Sequence, residues 1–171
     1  MRINLLRISG FTLIEIIVVV GVISILVSVS FSGYAVFTQR QKLMSDGQTF
    51  KNTLRDVQSR SYNGEVDCNV CSCSAANSKS LDGWFVNLVS RQFYGQCGGV
   101  NFSMTSLKLS DDAVIDTNNN IIQFVNDPPR VNIETNICLS LSSLSGKYYR
   151  IEVSTSGDIS DTGGLIAACA P

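Results

Sequence analysis

The residues best equipped for chemistry are six cysteines: Cys68, Cys71, Cys73, Cys97, Cys138 and Cys169. Two chemistries suit them. The run Cys68-x2-Cys71-x-Cys73 spaces thiolates as part of a zinc site would, and four thiolates complete such a site. No second Cys-x2-Cys unit follows, however, and the chain has no histidine to assist. Disulfides are the favoured reading, because the count is even and all six cysteines lie beyond a long apolar segment, as in an exported, oxidising compartment. Six cysteines allow many connectivities, and spacing alone does not choose among them. Cys71 and Cys73 are too close to pair comfortably with each other, so each is expected to reach elsewhere, one of them to Cys97.

Other chemistry is thinly represented. Without histidine the chain lacks the commonest general base and metal ligand at neutral pH. No nucleophile elbow, phosphate loop or dinucleotide fingerprint occurs, so no enzyme class is indicated and no cofactor is implied. Asp116-Thr117-Asn118-Asn119-Asn120 opens like a calcium loop, with oxygens at alternate positions. Ile121 stands where that loop needs glycine, and the closing acid falls on the short Asp127, so a polar turn is the expected reading. Asp158, Asp161 and Gly163-Gly164 offer a second set of loop oxygens, read the same way. Net charge is -1, which gives no general attraction to nucleic acid. Arg130, Lys147 and Arg150 are scattered, whereas phosphate contacts need clustered cations.

The remaining oddity is Glu15. From Phe11 to Phe37 it is the only charged residue. At about 1.5 Å per residue this stretch is long enough to cross a hydrocarbon core of roughly 30 Å as a helix. A carboxylate inside such a segment costs about 2.5–3.5 kcal/mol. It needs a partner, and the segment offers no cation. Residues 1–10 are a short basic leader with Arg2 and Arg7. A cut after Gly10 would leave the free amine of Phe11 four residues before Glu15. That amine could neutralise Glu15 in its own chain or in a neighbour.

The elements that must position these residues follow from periodicity. Leu43, Gly47, Phe50, Leu54 and Val57 recur every third or fourth residue, so the helix is expected to continue to about Ser61, with Asn63-Gly64 ending it. Residues 38–62 form its amphipathic half. The stripe either seats this half on a sheet, the favoured reading, or meets another subunit; Lys51, Asn52, Arg55 and Asp56 lie off it. Residues 63–171 alternate with period two: Trp84, Val86 and Leu88; Ile122 and Phe124; Val131 and Ile133; Ile137, Leu139 and Leu141; Tyr149, Ile151 and Val153. Turns are expected at Asn118-Asn119-Asn120, Asp127-Pro128-Pro129, Ser145-Gly146 and Ser156-Gly157-Asp158. The expected fold is α+β: a long N-terminal helix on an antiparallel sheet or sandwich of six to eight short strands.

Gly10-Phe11-Thr12-Leu13-Ile14-Glu15, with the basic leader before it and the apolar run after it, resembles the class III signal of type IV pilins and type II secretion pseudopilins. The resemblance implies that a prepilin peptidase cuts after Gly10 and methylates the new N-terminal Phe11. Residues 11–37 then remain as a single-pass anchor in the cytoplasmic membrane, in contact with lipid, and later as the core of a filament outside it. The implied partners are that peptidase, other pilin or pseudopilin subunits and an inner-membrane assembly platform. Glu15 is implied to act in assembly. Many family members carry proline near the position of Ser32; here Ser30, Ser32 and Gly33 stand instead. Leu54-Arg55, Cys68, Gly83-Trp84-Phe85-Val86 and Val153-Ser154-Thr155-Ser156-Gly157 bear a more diffuse resemblance to H-type minor pseudopilins and FimT-like minor pilins. Some FimT-like pilins take up DNA through basic heads. DNA uptake and a membrane-anchored exported enzyme are the two alternatives to a filament subunit, and the acidic segment 157–164 speaks against the first.

Overall fold

A computed structural model describes residues 11–74 and 79–171. Two helices, α1 (Leu13–Tyr62) and α2 (Cys68–Cys71), and nine strands form among them. The strands are β1 (Leu81–Asn87), β2 (Gln92–Cys97), β3 (Val100–Ser106), β4 (Ala113–Thr117), β5 (Ile121–Asn126), β6 (Pro129–Val131), β7 (Thr135–Leu141), β8 (Leu144–Val153) and β9 (Ile159–Asp161). The chain divides into two compact units between Thr38 and Gln39.

In the first unit the described apolar side chains of α1, and Phe11 before it, are not covered. Phe11, Leu13, Ile14, Ile16 and Ile17 each leave more than half of their surface open. Two serine hydroxyls of α1, by contrast, are satisfied locally. The hydroxyls of Ser24 and Ser28 donate to the carbonyls of Val20 and Ile25, each at 2.8 Å. This is how a helix carries serine without leaving a bare donor in an apolar setting. By length and composition α1 can cross a membrane; its most apolar window has a mean hydropathy of 2.7.

The second unit holds the core. All strand pairs are antiparallel, in two sheets ordered β3-β2-β1-β5-β6 and β4-β7-β8-β9. Alternation decides which residues turn inward. Trp84 and Val86, Ile122 and Phe124, Ile137 and Leu139, and Tyr149, Ile151 and Val153 are all buried. Leu43, Phe50, Leu54 and Val57 of α1 join them in one cluster. The helical stripe therefore seats α1 on the sheets. Gly47 completes it by absence: the ring of Tyr149 lies so close that a Cβ at Gly47 would come within 2.3 Å of it.

Connections are short. Cys97 pairs with Val100, so Gly98-Gly99 is a two-residue hairpin loop, and both residues take positive φ, as that turn demands. Between β1 and β2 the Asn87 side chain accepts the backbone N–H groups of Val89 and Ser90. Asp127-Pro128 and Ser156 lie in turns as expected, whereas Pro129, expected in the same turn, opens β6.

Three expectations are corrected. Nine strands in two sheets replace six to eight, because Gln92–Cys97 and Val100–Ser106 also form strands. Ser145 and Gly146 lie inside β8. The turn falls at Ser142-Ser143, where Leu141 pairs with the buried Leu144 and closes the hairpin earlier. Ile133 does not share the burial of Val131: β6 ends at Val131, and Ile133 is 41% exposed.

Candidate functional site

The start of α1 is the first candidate site. Thr12 caps it. Its carbonyl accepts the N–H groups of Glu15 and Ile16 at 3.1 and 3.3 Å, and its Oγ1 lies 3.4 Å from the Glu15 nitrogen. Glu15 therefore stands in the first helical turn, three residues after the cap. This is where a carboxylate is favoured by the unpaired N–H groups of a helix end. Among the described residues no cation pairs with Glu15. Phe11 is 77% exposed. Gly10 lies outside the described residues. The site is thus a lone acid, held in the first turn, four residues after Phe11.

The six cysteines form three disulfides, and none is left as a thiolate for zinc. Cys68 joins Cys73, Cys71 joins Cys97 and Cys138 joins Cys169. Cys71 reaches Cys97 because α2 brings it over the end of β2, where both are buried. Cys68 and Cys73 are exposed. They flank a turn that closes on itself: Asp67 accepts the N–H of Asn69, and Ser72 donates to the Cys68 carbonyl from a left-handed conformation.

A dense polar contact in the head joins α1 to the second sheet. Asp161 in β9 accepts Lys51 Nζ at 2.7 Å and Tyr149 Oη at 2.5 Å. Its other oxygen accepts the N–H of Gly163. The Lys51 ammonium first, and then the tyrosine hydroxyl, hold this carboxyl below the usual range for aspartate. Burial and the facing carboxylate push the Tyr149 hydroxyl well above its ordinary value. Arg55 and Gln58 add bonds to the carbonyls of Ile159 and Gly157 at 3.2 and 2.5 Å. A shallow groove of about 350 Å³ runs over this contact, lined by Gln48, Lys51, Asn52, Arg55, Tyr149, Asp161 and Gly163.

Sequence periodicity missed this contact. It set Lys51 and Arg55 aside as off-stripe residues, whereas Lys51 is only 19% exposed and bonded. The end of the helix is pinned to the first sheet in a similar way. Ser61 donates to the Phe124 carbonyl at 2.6 Å, Trp84 donates to the Glu65 carbonyl, and Arg60 lies 5.4 Å over the Trp84 ring.

In the segment read as a possible calcium loop, two side chains are engaged in holding turns. Asn118 accepts the N–H of Asn136, and Asn119 donates to the Glu134 carbonyl, each at 3.0 Å. Asp158 lies in the turn that Ser154 closes. Among the described residues, no three acids or cysteines converge as metal ligands would. Arg130 lies in β6 at an edge of the first sheet, whereas Lys147 and Arg150 lie in β8 of the second, with Arg150 paired to Glu152. No family model, no curated protein and no solved structure matches this chain.

Proposed function

We propose that this chain is a minor subunit of a type IV pilus or of a type II secretion filament. The observation that carries the reading is Glu15, the one charge between Phe11 and Phe37, held in the first turn of α1 by the Thr12 cap. A carboxylate there would cost several kcal/mol in lipid if it stayed unpaired. A cation supplied at position 11 removes that cost.

The sequence of events starts in the membrane. The leader stays on the cytoplasmic side. A prepilin peptidase hydrolyses the bond between Gly10 and Phe11, and the new amine is methylated. The amine stays protonated and is the only cation at the apolar end of the helix. When subunits meet, the Phe11 amine of one faces Glu15 of its neighbour. The match fixes axial register, since a slip of one turn would leave both charges unpaired in a medium of low dielectric. Residues 16–31 then supply the apolar filament core. The head, braced by three disulfides and by the helix contacts above, stays outside.

The test is a substitution. With Glu15→Ala, the subunit is expected to be cleaved and to remain in the membrane, but to vanish from filaments sheared from cells. Glu15→Gln should behave alike, since it keeps the shape and loses the charge. Undiminished assembly of both variants contradicts the proposal.

A further inference from the structure

The three disulfides are not equivalent. Cys71 and Cys97 are 2% and 0% exposed. Cys138 is 1% exposed, and its partner Cys169 is half-buried. In the third bond, Cys68–Cys73, both partners are exposed. It spans five residues of sequence, against 26 and 31 for the others. A bond that closes so short a loop restricts the unfolded chain least. The fold also needs it least. The turn it spans is already held by the Asp67 cap, by Ser72 N–H on the Cys68 carbonyl and by the Cys71 carbonyl, which accepts Lys79 N–H at 2.9 Å. The buried Cys71–Cys97 bond independently ties the same turn to β2.

We propose that Cys68–Cys73 is a thiol–disulfide exchange site, open to a dithiol while the other two bonds stay closed. Accessible disulfides are the ones a thiolate reaches first. One thiolate of the dithiol attacks Cys73 Sγ, the Cys68–Cys73 bond breaks, and Cys68 leaves as a thiolate that takes up a proton. The second thiol of the reagent then attacks the mixed disulfide and expels Cys73. The dithiol ends as a cyclic disulfide, having given two electrons, and the head carries two free thiols. The partner implied is a dithiol protein or small dithiol of the exported compartment. This inference does not depend on filament assembly and survives the failure of that reading.

The experiment uses the full-length protein in detergent, under native conditions, with dithiothreitol as the probe. Free thiols are trapped by alkylation at each concentration and mapped by peptide mass spectrometry. Cys68 and Cys73 are expected to be labelled at about one-tenth of the dithiol concentration, or less, that opens either other bond. The variant C68S/C73S should retain the other two bonds and show no labelled cysteine over that low range. Three results would each overturn the proposal: simultaneous opening of all three bonds, earlier labelling of Cys71, Cys97, Cys138 or Cys169, or loss of the other two bonds in the double variant.

Discussion

Two halves of α1 share one backbone conformation and answer to different surroundings. From Leu13 to Thr38 the apolar residues run all around the helix, and those described, from Leu13 to Val27 and from Tyr34 to Phe37, are open. From Gln39 to Tyr62 they recur along one stripe, and Leu43, Phe50, Leu54 and Val57 are buried completely or nearly so. The second half has its partner within the chain. No described residue of the first half joins the core, and a helix apolar on every side is stable only in lipid or against other helices. The contrast separates a helix that completes a core from one that needs surroundings supplied from outside.

The largest effect should come from truncating the stripe. Leu54→Ala is expected to destabilise the head by about 2–5 kcal/mol in denaturant unfolding. Ile23→Ala in the first half should leave that transition within about 0.5 kcal/mol of wild type. Equal losses at both positions would break the comparison.

Next come the glycines. Gly47→Ala sets a methyl group against the Tyr149 ring and should cost about 1–3 kcal/mol. Nothing lies within 4 Å of a Cβ at Gly21, so Gly21→Ala should leave the melting temperature of the head unchanged.

Asp161→Asn sharpens the account of how the head grips the second half. Loss of the charged partner of Lys51 and Tyr149 should cost about 1–3 kcal/mol at neutral pH. The Asp161 carboxyl is held below its usual range, so its contribution is fully present above the unfolded value, near pH 4, and fades as pH falls through the lower folded value. The variant should therefore differ from wild type at pH 6 and converge with it in strong acid. A gap that widens below pH 4 contradicts the assignment. The smallest effect belongs to Lys42, whose exposed pair with Asp112 should weaken with salt and whose replacement by Ala should barely move the melting temperature.

What could be read from the sequence follows the same division. The helical stripe and the strands with strict alternation, such as Ile137-Leu139-Leu141, were legible because each commits a whole face to the core. β2 was not, since Gly95 interrupts the apolar alternation between Phe93 and Cys97. That glycine is filled from across the strand by the Phe102 ring, which only the paired strands reveal. The Lys51–Asp161–Tyr149 contact joins residues far apart in the chain and carries no local signal. The cysteine connectivity was likewise undetermined, because it depends on α2 reaching β2. Glu15 was conspicuous at once, since a lone charge in an apolar run needs no fold to be noticed. The role of Thr12 as its cap appears only with the helix start.

The proposed cut beside Phe11 would make the first half ready for its surroundings. The direct measurement is the intact mass and N-terminal sequence of the full chain coexpressed with a prepilin peptidase and purified without reductant. The expected product is a chain that starts at N-methylated Phe11, with three disulfides each removing two hydrogens from the mass. An unprocessed start at Met1, or a cut beyond residue 30 that removes the apolar half, would contradict it.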